Sequence, residues 1–306
     1  MRAIVVGAGV VGLTSAVCLR EAGIAADVVA REEPQDTTSA VAAALWYPYR
    51  ALPQARVTAW SAAGYDELAR LAGVAGSGVR MRAGTELLPS DAPDPWWRDA
   101  VPGLERTAEG LRFEAPVVDM SLHLPWLAGR LRALGGAIER HHVASFDELD
   151  ADAVVNCAGL GARELAADPS LTAVRGQVVR VSAPDVREWL LDQSDPQRPV
   201  YVVPREHDVV LGGTAQEGDE ERTADPATTR AIRARCAALV PALHGAPVLS
   251  VAVGLRPVRP AVRLEAEGRV VHCYGHGGAG VTLAWGCAVE VAALLGARGE
   301  RYAAPR

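Results

Sequence analysis

The sequence predicts an α/β fold in which two domains are interleaved along the chain. A β-branched run, a glycine-rich turn and a helical pattern open the chain, and the same succession closes it. Between these ends lie further short apolar runs that are typical of strands in a mixed sheet. Because the two ends share one pattern, we assign them to one domain and the intervening chain mainly to another.

The first fifty residues predict a strand, a helix and a second strand. The apolar run 3–6 and the run 27–30 are the strands, and a helical face lies between them and ends at Gly23. The turn after the first strand, Gly7-Ala8-Gly9-Val10-Val11-Gly12, is the first glycine turn. Glu32 follows Gly12 by 32 − 12 = 20 residues, where an acid meets ribose hydroxyls. We therefore predict a Rossmann-like dinucleotide-binding domain.

A second glycine turn, Gly275-His276-Gly277-Gly278-Ala279-Gly280, follows the predicted strand 270–274 and precedes the predicted helix 283–295. A nicotinamide enzyme has no use for this additional turn. A flavin ring needs a clamp far from its adenine, and a helix N-terminus at the pyrimidine edge stabilises the negative charge of reduction. The pair of turns therefore favours FAD over a nicotinamide cofactor.

The middle of the chain supplies the second domain. Residues 51–143 predict helices and loops rich in Pro and Trp, and a helix is predicted over 227–240. Strands are predicted at 154–161, 175–181, 200–203 and 209–211. We assign 1–50, 143–180 and 265–306 to a discontinuous FAD-binding domain, and we assign 51–142 and 181–264 to a substrate-binding domain with a mixed α+β sheet.

Composition excludes several classes of function. The 306 residues carry a net charge of −6 with interspersed signs, so neither nucleic acid nor an anionic membrane is an expected partner. The sequence has no lysine, which excludes Schiff-base chemistry. Its five cysteines are widely spread, and we expect no metal site and a cytoplasmic location. No run of residues qualifies as a membrane span or a signal peptide.

Five spaced motifs carry a family resemblance. In chain order they are residues 42–49 (AAALWYPY), 175–177 (RGQ), 211–214 (LGGT), 254–260 (GLRPVRP) and 274–278 (YGHGG). Together they resemble the D-amino-acid oxidase family. The resemblance implies non-covalent FAD and oxidative deamination of neutral or apolar D-amino acids to 2-oxo acids, NH3 and H2O2. Hydride would pass from Cα to flavin N5, O2 would reoxidise the flavin, and a homodimer is compatible with the family.

The resemblance also implies which residues contact FAD. The first glycine turn matches the pyrophosphate site, and the second matches the flavin clamp through its last residues. The full implied set is Gly7, Ala8, Gly9, Val10, Val11, Gly12, Arg31, Glu32, Thr37, Thr38, Ser39, Ala43, Ala44, Leu45, Val143, Gly277, Gly278, Ala279, Gly280, Val281 and Thr282.

For the substrate, the resemblance implies that Arg256 binds the carboxylate, Tyr201 shares that contact and the Gly278 carbonyl accepts the amino group. A guanidinium binds a carboxylate through two parallel hydrogen bonds, which supports the first assignment independently. Tyr49 is a further candidate for the pocket wall. We predict no catalytic acid or base from a side chain, and we expect His276 to brace the turn.

Three alternatives remain open. A D-aspartate oxidase requires a second cation in the pocket, for which Arg198 and Arg205 are eligible. Glycine oxidases share the cofactor fold, and a nicotinamide dehydrogenase would leave the second glycine turn unexplained. One departure from the family concerns a mobile loop: mammalian members carry a lid tyrosine where this chain has Gln197, and the segment 185–198 is shorter.

Overall fold

The structure is a computed structural model, and it describes residues 1–298. Short β-branched runs separated by glycine and proline form its strands. The strands are β1 Arg2–Val6, β2 Ala25–Ala30, β3 Val79–Leu87, β4 Glu105–Arg106, β5 Gly110–Val118, β6 Ile138–Arg140, β7 Ala153–Asn156, β8 Thr172–Val181, β9 Trp189–Asp192, β10 Val200–Pro204, β11 Val209–Gly212, β12 Gln216–Glu217, β13 Val248–Glu267 and β14 Val270–His276.

The helices cover the faces of the sheet. They are α1 Val10–Glu21, α2 Thr38–Val41, α3 Gln54–Leu71, α4 Met120–Ala133, α5 Ala162–Leu165, α6 Pro226–Leu239 and α7 Gly280–Leu294. Short 3-10 helices lie at Pro34–Asp36, Arg98–Ala100, Phe146–Glu148, Gly159–Gly161 and Pro241–Leu243. None of the helices in residues 1–298 combines the length and apolar character needed to cross a bilayer.

The strands form one mixed sheet in the order β4-β5-β3-β9-β10-β11-β8-β13-β14-β7-β1-β2-β6, with β12 beside β8. From β14 to β6 every neighbouring pair is parallel. The 20-residue strand β13 pairs antiparallel with β8 along its first half and with β14 along its second. The parallel and antiparallel parts are therefore continuous, and the carboxyl ends of the parallel strands share one edge, where α/β sheets bind ligands.

The predicted α/β class is confirmed, and so are the terminal strands and helices. The prediction of helices and loops over 51–143 is wrong in part, because that segment also contains the nine-residue strands β3 and β5. Arginines at positions 80 and 82 and a glycine at 84 obscure the strand pattern of β3, which its partners β5 and β9 stabilise. The division into two domains stays a prediction.

Helix α7 is buried on almost every side, because it packs against both α1 and α3. Glycines allow α3 and α7 to approach closely. A Cβ atom on Gly64 would lie 2.1 Å from the Thr282 carbonyl oxygen, and one on Gly286 would lie 2.4 Å from the Trp60 carbonyl oxygen. The α3–α7 contact consequently holds the start of α7, next to the second glycine turn, in a defined position.

We expect Gly286→Ala to lower the free energy of unfolding by about 1–3 kcal/mol, because the added methyl group overpacks a backbone contact. Gly129→Ala is the matched control: Gly129 also lies inside a helix, α4, but a Cβ atom there meets nothing within 4 Å. This control should raise stability by about 0.5–1 kcal/mol. Urea unfolding midpoints compare the two, and equal effects would contradict a tight α3–α7 contact.

Candidate functional site

One cavity of ≈ 510 Å³ brings both glycine turns together at the carboxyl edge of the parallel strands. Its wall includes residues from the start of α1, from α2, from the strand β13 and from the start of α7. Most of the predicted FAD contacts line it: Gly7, Ala8, Gly9, Val10, Val11, Arg31, Glu32, Thr37, Thr38, Ser39, Ala43, Ala44, Leu45, Val143, Gly277, Gly278, Gly280 and Val281. Gly12, Ala279 and Thr282 are not in the wall.

The first glycine turn leads from β1 into α1. Gly7 has a φ of +115°, and a Cβ atom there would lie 2.4 Å from the Cys157 carbonyl oxygen, so only glycine is accommodated. A Cβ atom on Gly12 would lie 1.9 Å from the Gly7 carbonyl oxygen, which shows that Gly12 serves helix packing instead of the wall. The N-cap residue of helix α1 is Gly9, which has no side chain to cap the first turn. The N-terminus of α1 is therefore suited to an anionic group of a ligand.

Side chains beside this turn position its backbone. The N–H of Val10 donates to Ser39 Oγ at 3.0 Å. The hydroxyl of Thr37 donates to the Pro34 carbonyl at 2.7 Å, and that of Thr38 donates to the Leu255 carbonyl at 3.1 Å. The hydroxyl cluster thus joins α2 to α1 and β13.

The second glycine turn leads from β14 into α7. Gly277 has a φ of +57°, and a Cβ atom on Gly278 would lie 2.4 Å from Tyr49 Cδ1. Helix α7 also has no side-chain N-cap bond. Thr282 Oγ1 accepts the N–H of Tyr47 at 2.9 Å and donates to the Tyr47 carbonyl at 3.0 Å, so Thr282 fastens the neighbouring segment instead of lining the cavity.

The four predicted substrate contacts, Arg256, Tyr201, Gly278 and Tyr49, all line the same cavity. Arg256 extends from the middle of β13 over Gly176 of β8, where a Cβ atom would lie 2.4 Å from its Nη1. The ring of Tyr201 covers Gly212, where a Cβ atom would lie 1.9 Å from its Cζ. The glycines of the RGQ and LGGT motifs therefore make room for these two side chains.

Arg256 differs from its neighbours in charge compensation. Its Nη1 donates to the Thr214 carbonyl at 2.9 Å, and no carboxylate of residues 1–298 forms an ion pair with it. Arg259 pairs with Asp168 at 2.7 Å, and Arg263 pairs with Glu265 at 2.7 Å, as expected for structural arginines. Arg256 thus presents an uncompensated positive charge to the cavity.

Two tyrosines add polar atoms beside this charge. Burial raises the pKa of Tyr201, although the nearby Arg256 opposes the shift, so its hydroxyl remains a neutral donor. The hydroxyl of Tyr49 is buried and has no hydrogen-bond partner among residues 1–298. A buried unsatisfied hydroxyl costs free energy unless a ligand or water completes its hydrogen bonds. Tyr49 therefore marks a place where a polar ligand group fits.

His276 also lines the cavity, and burial lowers the pKa of its imidazole to about 4. It is therefore neutral at physiological pH. Its Nε2 lies 3.9 Å from Cys273 Sγ, and the possible ligand atoms of Cys273, His276 and Cys287 all lie within 4.8 Å of one another. The expectation of no metal site stays a prediction, because two thiols and one imidazole are ligand types that bind soft metal ions.

Arg198 and Arg205 do not line the cavity. Arg198 pairs with Asp195 at 2.7 Å, and the buried Arg205 pairs with Asp208 at 2.6 Å. Neither supplies the second cation that a D-aspartate site requires. Gln197 also lies outside the wall, and its carbonyl accepts the N–H of Ala215 at 3.1 Å.

The structure adds cavity residues that sequence reasoning missed. Gly159–Gly161 line the cavity and follow the parallel strand β7. The buried strand predicted at this place could have indicated them, because ligands bind beyond the carboxyl ends of parallel strands. Tyr47 and Gln193 also line the wall. No sequence signal indicated Gln193, because β9 lies within a segment that we read as a loop, and its pairing with β3 is what brings Gln193 to the site.

The residues that line the cavity fit FAD. Two helix N-termini whose N-cap residues, Gly9 and Ala279, make no side-chain capping bond meet at one cavity, and glycines occupy positions where a Cβ atom would collide with neighbouring atoms. The first N-terminus suits a pyrophosphate, and the second suits the electron-rich edge of a flavin. Arg31, Glu32 and Val143 lie at the ends of β2 and β6, where an adenosine would reach.

Comparisons with known proteins agree with this fit. Residues 2–294 match the family described as FAD dependent oxidoreductase. The chain is 52% identical over 313 residues to a D-amino-acid oxidase of Rubrobacter xylanophilus, with 97% of this chain and 96% of that protein covered. It is 37% identical over 324 residues to the D-aspartate oxidase of Homo sapiens, with 96% and 94% covered.

Solved structures with the same fold include a glycine oxidase of Bacillus cereus. The TM-score is 0.78 and the identity is 19%, with 98% of this chain and 96% of that chain covered. An L-proline dehydrogenase of P. horikoshii has a TM-score of 0.77 at 15% identity, with 96% and 93% covered. At these identities the likeness shows the fold alone.

The contrast between Arg256 and Arg259 predicts different effects on stability. Arg259→Ala leaves the Asp168 carboxylate without its guanidinium partner, and we expect a loss of about 1–3 kcal/mol in the free energy of unfolding. Arg256→Ala removes one bond to a carbonyl, and we expect a loss of about 1 kcal/mol or less. Urea unfolding in excess FAD measures both, and an equal or larger loss for Arg256→Ala would identify it as a structural arginine.

Proposed function

The chain belongs to the FAD dependent oxidoreductase family, and from that membership we propose that it is a D-amino-acid oxidase acting on neutral D-amino acids. The reaction converts the amino acid to a 2-oxo acid with release of NH3 and H2O2. A relative that is 52% identical over nearly the whole chain carries that name, which supports the activity.

One observation carries the proposal most directly. Arg256 is a cation without a carboxylate partner among residues 1–298, and it lies beside the hydroxyl of Tyr201 in the cavity that both glycine turns enclose. A charge in this environment is costly unless an anion compensates it. An amino-acid carboxylate provides that anion and matches the planar guanidinium.

When bound, FAD supplies a two-electron acceptor that takes hydride from the substrate Cα and passes the electrons to O2. The chain's own residues orient the substrate for this transfer. Arg256 binds the carboxylate, and Tyr201 donates a further hydrogen bond to it. The Gly278 carbonyl accepts a hydrogen bond from the amino group, and the unsatisfied hydroxyl of Tyr49 is available to the carboxylate end.

The proposed chemistry requires no proton transfer from a side chain when the amine is bound in its neutral form. His276 is buried, with a pKa lowered to about 4 by burial. Its turn is held by backbone bonds: the N–H of Gly277 donates to the Pro257 carbonyl at 2.9 Å, and the N–H of Ala279 donates to the His276 carbonyl at 3.0 Å. We assign His276 to bracing of the turn.

A D-aspartate oxidase is the nearest alternative, since a human protein of that name is 37% identical. The pairing of Arg198 and Arg205 with other carboxylates removes the two candidates that the sequence offered for its second cation. We retain the discontinuous two-domain division, the homodimer, O2 as electron acceptor and a cytoplasmic location as parts of the proposal.

Anaerobic mixing tests the proposed function. We expect the purified protein to carry bound FAD and be yellow, and D-alanine should bleach it, because the electrons remain on the flavin when O2 is absent. L-alanine should leave the spectrum unchanged. Peroxide release on readmission of air completes the test. A colourless protein that takes up no FAD, or one bleached equally by both isomers, would refute the proposal.

For Arg256→Ala we expect a loss of about 2–5 kcal/mol in transition-state binding, since one partner of a buried charge pair is removed. This corresponds to about 30-fold to several-thousand-fold in kcat/KM for D-alanine. Tyr201→Phe should be milder, at about 1 kcal/mol, because it removes one hydrogen bond and no charge. Arg259→Ala is the control with the same side-chain truncation. A loss below about fivefold for Arg256→Ala would exclude the carboxylate role.

A further inference from the structure

A buried carboxyl group lies in the same row of the sheet as Tyr201, one of the proposed substrate contacts. Glu86 of β3 is 4% exposed. Glu86 pairs with Leu191 of β9, and Leu191 pairs with Tyr201 of β10. Directly paired residues point to the same face of a sheet, so these three side chains share the face on which the cavity lies. At a strand spacing of roughly 4.8 Å, the Cα atoms of Glu86 and Tyr201 are about 10 Å apart.

Two cavity residues connect Glu86 to the wall. The Tyr47 hydroxyl donates to Glu86 Oε1 at 2.6 Å, and Gln193 Nε2 donates to the same oxygen at 3.1 Å. Tyr47 and Gln193 both line the cavity. The second oxygen, Oε2, is buried without a hydrogen-bond partner among residues 1–298. Glu86 thus lies one side chain behind the wall, with half of its carboxylate unsatisfied.

No arginine in the described part of the chain pairs with this carboxylate. Among the ion pairs of the described chain, none includes Glu86, and its hydrogen bonds come from neutral groups. Burial raises its pKa, and the bonds from Tyr47 and Gln193 oppose that shift and favour the ionised form. The two donors that converge on Oε1 make bonds that a carboxylate accepts, so Glu86 places negative charge in the row beyond Tyr201, while Arg256 supplies positive charge to the cavity.

We propose that Glu86, acting through Tyr47 and Gln193, determines side-chain selectivity: it rejects D-amino acids with acidic side chains and admits neutral, hydrogen-bonding ones. The inference rests on the proposed oxidase function and assigns the residue that sets its preference for neutral substrates. With its carboxylate bound at Arg256, a substrate extends its side chain into the cavity. Glu86 adds an uncompensated negative charge behind the cavity wall, and an acidic side chain would face that charge. Like charges separated by a wall of low dielectric repel strongly, on the order of ten- to a hundredfold in affinity at such distances.

D-glutamine and D-glutamate form the test pair, because they have the same length and differ in charge. With the holoenzyme we expect kcat/KM for D-glutamine to exceed that for D-glutamate by about ten- to a hundredfold. In Glu86→Gln the carbonyl oxygen still accepts from Tyr47 and Gln193, and the ratio should fall to within about threefold. The change should come mainly from faster D-glutamate oxidation, since the repulsion is removed.

Glu206→Gln is the matched control. It removes the same charge from an exposed carboxylate that pairs with Arg80 at 2.7 Å and lies outside the cavity wall. Its D-glutamine to D-glutamate ratio should equal that of the unmodified protein. A fall in both variants would assign the effect to net charge and would overturn the role of Glu86.

The unmodified protein provides a test that needs no variant. If it oxidises D-glutamate as fast as D-glutamine, or if Glu86→Gln folds and retains the original ratio, the selectivity proposal is refuted. If no D-amino acid releases peroxide, the proposed function fails instead. In that case ligand binding tests the selectivity. Glutaramate, the monoamide of glutarate, should raise the melting temperature of the holoenzyme more than glutarate does. Glu86→Gln should remove this difference.

Discussion

The hydrogen-bonded pairing of one long strand, β13, with two different partners is the constraint on which the site depends. Along its first half β13 pairs with β8, and along its second half it pairs with β14. Arg256 projects from the first of these pairings, and β14 ends in the second glycine turn. A shift of one residue in either register would move the guanidinium to the opposite face or displace the turn. The strand therefore sets substrate and cofactor contacts relative to each other.

Some charged groups near the cavity are paired within the described part of the chain, and several polar groups are not. Arg259 and Arg263 have carboxylate partners, whereas among residues 1–298 the Arg256 guanidinium has no ion-pair partner, and the Tyr49 hydroxyl and one oxygen of Glu86 have no hydrogen-bond partner. Such groups are destabilising in a protein interior unless something binds them. Their concentration in one region indicates that the fold holds them for a ligand, as is usual where local stability is given up for function.

Close backbone approach is the second recurring device. Gly7 and Gly12 let α1 pack closely against β1, and Gly286 lets α7 approach α3. Gly176 and Gly212 make room for the side chains of Arg256 and Tyr201. In each case a methyl group would meet a backbone atom or a functional side chain. These positions explain why short glycine-containing motifs, spread along the whole chain, carried so much of the functional information.

The local sequence pattern was sufficient to predict the strands and helices at the two ends of the chain. The runs beside both glycine turns are short, apolar and bounded by glycine, so their strands and helices were predicted. The roles proposed for Arg256 and Tyr201 came from the family resemblance, and Arg256 lies within one of its motifs. Tertiary structure decided the rest. Strands β3, β5 and β9 depend on pairing between segments far apart in the chain, and arginine and glycine interrupt their pattern. The meeting of Glu86, Tyr47 and Gln193 requires three separate elements, and which arginine keeps its charge depends on which carboxylates the fold places beside it. Periodicity reports local burial, whereas charge compensation is a property of neighbours in space.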